Sequence, residues 1–215
     1  MHIRPFFLIL IVVTLASCSG GISYTSPSPI STLEVSSDMY ERSELVVSRG
    51  RDVVVTAVLR DETGKDAPIT SGYVPQWITG NEKLIQLRPT HETCLVIGVT
   101  DWFDNKDFDA EPTTTITLLW SGSKKNIVTH TVVDVGGTWK FNVSGKPPVA
   151  VTFRQYGHKI IVLETPDWGT ISKNSVSLTL PGIVLTGALS SRSAADGQYV
   201  TNDGGAQGTW SATKL

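Results

Sequence analysis

Net charge and cysteine are both scarce in this sequence. The 18 basic and 20 acidic residues leave a net charge of −2, which gives no electrostatic basis for binding nucleic acid or another polyanion. Only two cysteines are present, Cys18 and Cys94. Cys94 lies in an apolar, strand-like stretch, so it is predicted to be a small buried side chain rather than a reactive thiol.

Helical periodicity and catalytic signatures are also missing. No segment repeats apolar residues at the spacing i, i+3, i+4, i+7, whereas short alternating runs bounded by Gly, Pro, Asn and Asp recur, which predicts an all-β chain. The sequence has no Gly-x-Ser-x-Gly, no His-Glu-x-x-His and no phosphate-binding loop. Glu164 and Asp167 would serve as a glycosidase pair only if they faced each other across a groove. We therefore expect a protein that is not an enzyme and needs no cofactor.

The beginning of the sequence has the pattern of an export signal. Arg4 supplies a positive charge, residues 6–13 are all apolar, and small residues precede Cys18. The apolar run is shorter than the ~20 residues that cross a bilayer core. The segment Leu15-Ala16-Ser17-Cys18 resembles the lipobox of bacterial lipoproteins. This resemblance implies that residues 1–17 are a signal peptide and that Cys18 is acylated and becomes the new amino terminus.

An uncharged sequence containing Ser, Gly and Pro follows Cys18. It is typical of a flexible tether, which we predict over residues 18–32. A serine directly after the cysteine resembles the pattern that sends Gram-negative lipoproteins to the outer membrane. We therefore expect a protein held in the outer membrane by lipid on Cys18. The alternative is an ordinary secreted protein whose Cys18 forms a disulfide with Cys94.

Residues 33–135 contain short predicted strands at regular spacing, as in a two-sheet β-sandwich. Gly50 precedes the second of these strands. Val74, Trp77 and Asn81 form a turn pattern that is one residue longer than usual. These features resemble the Ig-like modules of bacterial surface proteins. The resemblance implies an Ig-like β-sandwich, and the sequence departs from it in a long acidic loop, 101–112.

Residues 136–215 predict a second module of about seven short strands. Gly-Thr-Trp occurs near both ends of it, at 137–139 and 208–210. Matching first and last strands are typical of a small up-and-down antiparallel β-barrel that is closed by their pairing. Together with Val-x-Phe-x-Gln-x-Gly and Ala-Asp-Gly-x-Tyr, these segments resemble small lipocalin-like or avidin-like barrels of exported bacterial proteins. We expect both Gly-Thr-Trp segments on neighbouring antiparallel strands and two modules that fold independently.

The acidic loop offers two candidate sites. Its aromatic residues form a candidate partner-binding patch unless they fold back over the sandwich. These residues are Trp102, Phe103 and Phe108. Asn105, Asp107 and Asp109 could supply oxygens to Ca²⁺, but the glycine and glutamate of an EF-hand are missing. A solvated acidic loop is therefore favoured, and no metal is predicted.

The barrel offers a further candidate site. Strand alternation places Trp139, Phe141 and Val143 inside it, either as a packed plug, which is favoured, or as the lining of an open cup. The rim of such a cup would consist of Tyr156, Trp168 and Tyr199. The sequence thus predicts a non-enzymatic lipoprotein of the cell envelope that binds another envelope protein or a glycan through its β-modules. The alternative is a carrier or sensor that holds a small apolar ligand in the barrel.

The predicted lipid anchor is tested by replacing its cysteine. Cys18→Ser removes the thiol that would be acylated, so we expect release from membranes or accumulation of the unprocessed precursor. Fractionation of cells and intact mass measurement would detect both. Unchanged processing and membrane retention of Cys18→Ser would contradict a lipid anchor at this position.

Overall fold

The computed structural model describes most of the chain beyond the predicted tether. The described ranges are residues 30–41, 43–61, 63–66, 74–104, 110–120, 122–163 and 165–215. The predicted signal peptide and the acylation site Cys18 lie outside these ranges. Within them the regular elements are seventeen β-strands, and no helix is long and apolar enough to cross a bilayer.

The first nine strands form two sheets that face each other as a sandwich. They are β1 (Ile30–Ser36), β2 (Tyr40–Glu41), β3 (Glu44–Ser48), β4 (Asp52–Asp61), β5 (Gln76–Thr79), β6 (Ile85–Thr90), β7 (Thr93–Gly98), β8 (Thr113–Trp120) and β9 (Ser123–Val132). One sheet has the order β1-β4-β7-β6 and the other β2-β3-β9-β8-β5. The orders β1-β4-β7-β6 and β9-β8-β5 match the ABED and CFG sheets of an immunoglobulin sandwich. The expected Ig-like fold is therefore present, with β2 and β3 added beside β9.

Alternating side chains build the core between these sheets. In β4 every second residue is buried, and Val53, Val55 and Leu59 meet side chains of the opposite sheet such as Ile116. The free thiol of Cys94 is fully buried in the same core, and this burial raises its pKa to about 11. The predicted role of Cys94 as a small buried side chain is confirmed.

The start of the sandwich differs from the expected boundary. β1 begins at Ile30, so the end of the segment predicted as a tether belongs to the first sheet. It pairs antiparallel with β4, with Leu33 opposite Leu59. Only Leu33 and Val35 show alternation in β1, and Ser- and Pro-rich sequence precedes them. The start of this strand was therefore not predicted.

The remaining eight strands form a closed antiparallel barrel. They are β10 (Gly137–Val143), β11 (Val149–Tyr156), β12 (Lys159–Val162), β13 (Trp168–Ser172), β14 (Ser175–Leu180), β15 (Ile183–Ser191), β16 (Ala194–Thr201) and β17 (Gln207–Lys214). Each strand pairs with the next, and β10 pairs with β17 with Val143 opposite Trp210. The two Gly-Thr-Trp segments therefore lie on neighbouring antiparallel strands, as expected. About seven strands were predicted, and the eighth, which was not predicted, is β13. It has a glycine at its second position and follows Pro166-Asp167, and both features weaken a strand pattern.

Aromatic side chains fill the middle of the barrel. The Phe141 ring packs edge-on against Phe153 at 5.8 Å between centroids and lies 5.6 Å from the Trp210 ring. Trp139 is also fully enclosed. The cavity left among these side chains is about 20 Å³, room for about one water molecule. The middle of the barrel is thus a packed plug rather than an open cup.

The Trp210 indole fits against a pair of glycines. Gly187 of β15 lies opposite Gly197 of β16, and a Cβ on Gly187 would lie 2.7 Å from Trp210 Cζ2. The indole Nε1 donates hydrogen bonds to the carbonyl oxygens of Thr186 at 3.1 Å and Gln198 at 3.0 Å. The small residues on these two strands therefore make room for the largest side chain of a third.

Substitution of one of these glycines tests this packing. Gly187→Ala places a methyl group against both Trp210 and the backbone of Asp196, so we expect the free energy of unfolding to fall by about 2–3 kcal/mol. Gly205→Ala is the matched control, because a Cβ there makes only ordinary contacts. Urea denaturation followed by circular dichroism measures both. Equal stability of the two variants would contradict the close fit.

Candidate functional site

The acidic loop meets the barrel through an ion pair whose carboxylate is buried. Asp101 is completely buried and accepts hydrogen bonds from Arg192 Nε and Nη2, both at 2.9 Å. The backbone N–H of Phe103 donates to the same carboxylate at 2.8 Å. Arg192 lies in the turn between β15 and β16, so this pair joins the sandwich to the barrel.

Asp104 extends this contact to a second arginine. Its carboxylate lies 2.6 Å from Arg192 Nη2 and 2.9 Å from Arg49 Nε. Partial burial raises the pKa of Asp104, but hydrogen bonds from the Asp101 backbone and from both guanidinium groups outweigh it, so the net pKa is lowered. The three side chains form one network in which Arg49 and Asp104 belong to the sandwich and Arg192 to the barrel.

Glu111, at the other end of the loop, contacts two further turns of the barrel. Its Oε2 lies 2.8 Å from His158 Nε2, and its Oε1 accepts a hydrogen bond from the Lys173 backbone N–H at 2.7 Å. Burial raises the pKa of Glu111, but the hydrogen bonds from His158, Lys173 and Ser172 and the charge of His158 outweigh it. The net pKa is lowered, so the carboxylate form is the one that holds the modules together.

Two of the three aromatic residues proposed as a partner-binding patch lie in this junction. Trp102 and Phe103 are partly buried, pack against the barrel core and contact each other edge-on at 5.2 Å. The Arg192 guanidinium lies over the Phe103 ring at 5.8 Å. These rings thus fold onto the barrel rather than over the sandwich. Phe108 and the weak calcium candidates Asn105, Asp107 and Asp109 lie outside the described residues.

The segment that links the modules is itself packed into the barrel. Val133 and Val135 are part of the barrel core. Gln155 Nε2 donates to the Val133 carbonyl at 3.0 Å, and the Val135 N–H donates to Gln155 Oε1 at 2.7 Å. The Trp139 indole donates to the Val135 carbonyl at 2.8 Å. The link is held at several points, so it does not act as a loose hinge.

A cleft lies beside this junction, between the barrel wall and the turn that follows β1. Its lining residues are Asp38, Tyr156, His158, Lys159, Trp168 and Thr170, and its volume is about 550 Å³. Tyr156, Lys159 and Thr170 are register partners across β11, β12 and β13. We call this the inter-module cleft, because Asp38 belongs to the sandwich and the other lining residues belong to the barrel.

Trp168 is an exposed aromatic residue of the cleft wall. Its side chain points outward because Gly169 and Ile171, its alternating neighbours in β13, face the barrel interior. It is 53% exposed and is the one aromatic residue among the exposed large hydrophobic residues of the described chain. Tyr199, by contrast, is buried in the barrel, with its hydroxyl 3.3 Å from the Ser144 carbonyl oxygen. The structure brings Tyr156 and Trp168 together but places Tyr199 elsewhere, so the three form no common rim.

The polar residues of the cleft were not singled out in the sequence. Lys159 and Thr170 become neighbours only once β13 is recognised and paired with β12. Asp38 comes from a turn far away in the sequence. The alternation of Trp168, Thr170 and Ser172 with Gly169 and Ile171 was the available signal for β13, but a glycine in a strand weakens that pattern.

A second depression lies at the opposite end of the barrel, away from the sandwich. Its volume is about 740 Å³, and hydrophobic residues such as Val149, Leu163 and Ile183 line it together with the polar residues Lys146 and Asp167. Val149 and Leu163 are exposed there. No group of three or more His, Cys, Asp or Glu side chains in the described part of the chain could hold a metal ion at either depression.

Comparisons with known proteins identify no family. No family model matches the chain, and no curated protein matches it. Among solved structures, domains 5–6 of the S-layer protein SbsC share 12% identity at a TM-score of 0.37, over 86% of this chain and 84% of that one. Domains 1–6 of SbsC share 13% identity at a TM-score of 0.39, over 75% of this chain and 24% of that one. Domains 4 and 5 share 16% identity at a TM-score of 0.34, over 47% of this chain and 53% of that one. The chain thus spans about half of domains 4 and 5, and these values carry no conclusion about its function.

Acid should weaken the junction between the modules. The pKa of Glu111 is lowered from 4.5 in the folded protein, so its stabilising contribution is present above about pH 4.5 and is lost as the pH falls through the lower folded-state value. We expect the melting temperature of the wild type to drop from about pH 5 to 3, and Glu111→Gln to have a smaller drop. Glu82→Gln, at an exposed turn, is the control. An identical pH profile for Glu111→Gln and the wild type would contradict this role.

Proposed function

We propose that this chain is a lipid-anchored, non-enzymatic protein of the bacterial cell envelope that binds an envelope component in the inter-module cleft. The observation that carries the proposal is the half-exposed indole of Trp168 in a concave site that also contains a carboxylate, an ammonium group and two hydroxyl groups. Small-molecule and polymer-end sites typically combine an apolar surface with a few convergent polar groups.

Contact with Trp168 would supply a substantial part of the binding energy. Covering about half of a Trp side chain removes ~100 Å² of apolar surface from water, worth ~2.5 kcal/mol at ~25 cal/mol per Å². Tryptophan is also the residue type most often found at the energetic centre of binding surfaces. The outward orientation of Trp168 contributes little to the barrel core, so binding is the better explanation for a large apolar side chain at this position.

The lipobox and the topology of the sandwich support the anchored arrangement. β1 starts beside Asp61, at one end of β4, whereas Arg51 next to the other end of β4 pairs with Asp134 in the linker at 3.1 Å. β4 is ten residues long, which corresponds to ~33 Å. A tether that precedes Ile30 would therefore join the sandwich at the end remote from the barrel. In this arrangement the sandwich is the spacer and the barrel is the membrane-distal head.

The depression at the far end of the barrel favours a second candidate function. Its exposed Val149 and Leu163 could cover a small apolar group, which keeps a carrier role open even though the middle of the barrel is filled. The two candidates use opposite ends of the barrel. Variants at Trp168 and Leu163 therefore separate them.

Co-sedimentation with isolated envelope fragments tests the proposal. The full chain carrying Cys18→Ser is used, so that a lipid anchor does not itself cause sedimentation. We expect this protein to bind the fragments and Trp168→Ala to bind roughly 50-fold more weakly, the equivalent of the ~2.5 kcal/mol contact. Val200→Ala is the matched control, since Val200 is 45% exposed on the same outer wall of the barrel but does not line the cleft.

Two results would contradict the proposal. One is a parent protein that does not sediment with any envelope fraction, and the other is a Trp168→Ala variant that binds as well as its parent. Loss of binding in Leu163→Asn, with Trp168→Ala unaffected, would instead support the carrier role.

A further inference from the structure

We infer that the ligand of the inter-module cleft is an uncharged saccharide. This inference rests on the proposed function and names the chemical class of the component bound there. It follows from the geometry of Trp168, from the polar groups around it and from the balance of charge in the cleft.

The exposed indole provides a stacking surface of the kind that a sugar ring needs. The face of an aromatic ring is electron-rich, so it attracts weakly positive C–H groups. A pyranose presents several C–H groups on one face and its hydroxyl groups around the edge. Trp168 is 53% exposed, and its outward neighbours Thr170 along β13 and Thr179 across on β14 are short, whereas Ile161 lies opposite it on β12.

The polar groups of the cleft match the hydroxyl groups of a sugar. A sugar hydroxyl both donates and accepts hydrogen bonds, so it is satisfied by a carboxylate, an ammonium group or another hydroxyl. The cleft presents one of each kind in Asp38, Lys159 and Thr170. Within the described part of the chain no side-chain hydrogen bond or ion pair engages these three groups. They remain available to a ligand.

The charge of the cleft favours a ligand without net charge. Asp38 contributes one negative charge and Lys159 one positive charge, so they balance. The His158 ring is already paired with Glu111 at 2.8 Å. A strongly anionic or cationic ligand would meet a repulsive group together with the attractive one.

The surroundings of Trp168 differ from a typical protein-binding surface. Such surfaces are depleted in Lys, Asp and Ser, and they bury ~800 Å² on each partner. The outer wall around Trp168 is instead rich in short hydroxyl side chains. They are Thr170, Ser172, Ser175, Ser177 and Thr179. The cleft volume of about 550 Å³ lies in the ~300–1,000 Å³ range of small-molecule sites.

The chemical class is tested by treating the envelope fragments before co-sedimentation. Periodate cleaves the vicinal diols of saccharides, whereas proteinase K removes protein. With the full chain carrying Cys18→Ser, we expect periodate to abolish binding and proteinase K to leave it unchanged. Binding should change less than twofold between low and high salt, because no net charge is recognised.

Variants locate this binding in the cleft. Asp38→Asn and Lys159→Met should each weaken binding at least fivefold in fragments treated with proteinase K, and Trp168→Phe should keep part of the affinity that Trp168→Ala loses. Val200→Ala should bind as the parent does. If Val200→Ala binds as weakly as Trp168→Ala, the exposed apolar wall rather than the cleft is the binding surface, and the inference is wrong.

The outcomes separate this inference from the proposed function. Binding that proteinase K abolishes and periodate spares, and that still requires Trp168, would mean a protein partner: the proposed function would stand and the saccharide would be excluded. Strong salt dependence would exclude an uncharged ligand. Absence of binding to untreated fragments would overturn the proposed function itself.

Discussion

The packing of the Trp210 indole against Gly187 and Gly197 is the constraint on which the barrel depends. The indole occupies the space that the missing Cβ of Gly187 leaves, and Gly197 lies across from both Gly187 and Trp210. The indole Nε1 is satisfied by two strand carbonyls. This side chain, together with Phe141, closes the middle of the barrel to any ligand larger than about one water molecule. A barrel filled in this way can recognise a partner only with its outer wall or its ends. Two concave surfaces with room for a larger ligand are the inter-module cleft and the depression at the far end.

The described ends of the acidic loop have a structural role. A carboxylate as deeply buried as Asp101 is tolerated because Arg192 and a backbone N–H satisfy it. Glu111 is held in a similar way by groups in two barrel turns. The described ends of the loop thus bridge the modules. Asp101 and Asp104 meet Arg192 in the turn between β15 and β16, whereas Glu111 meets the turns after β11 and β13. The acids therefore contact three turns at one end of the barrel.

Local patterns predicted much of the fold but little of the site. The inward side chains of β10, Trp139, Phe141 and Val143, were predicted correctly, because the alternation in this strand allows one inward face. β13 was missed, and with it the pairing that places Thr170 beside Lys159. The docking of Trp102 and Phe103 onto the barrel is a contact between distant parts of the chain. Alternation within one strand reports which residues are buried, but it holds no information about which module buries them.

The two walls of the inter-module cleft come from different modules, and this has a thermodynamic consequence. Asp38 belongs to the sandwich, whereas Trp168 and Lys159 belong to the barrel. A ligand that touches both walls favours the docked arrangement over any separated one, and docking favours the ligand by the same free energy. Affinity for the proposed ligand would therefore be coupled to junction contacts outside the cleft, such as the one between Asp101 and Arg192. The strength with which the proposed ligand is held would therefore report how firmly the two modules are docked.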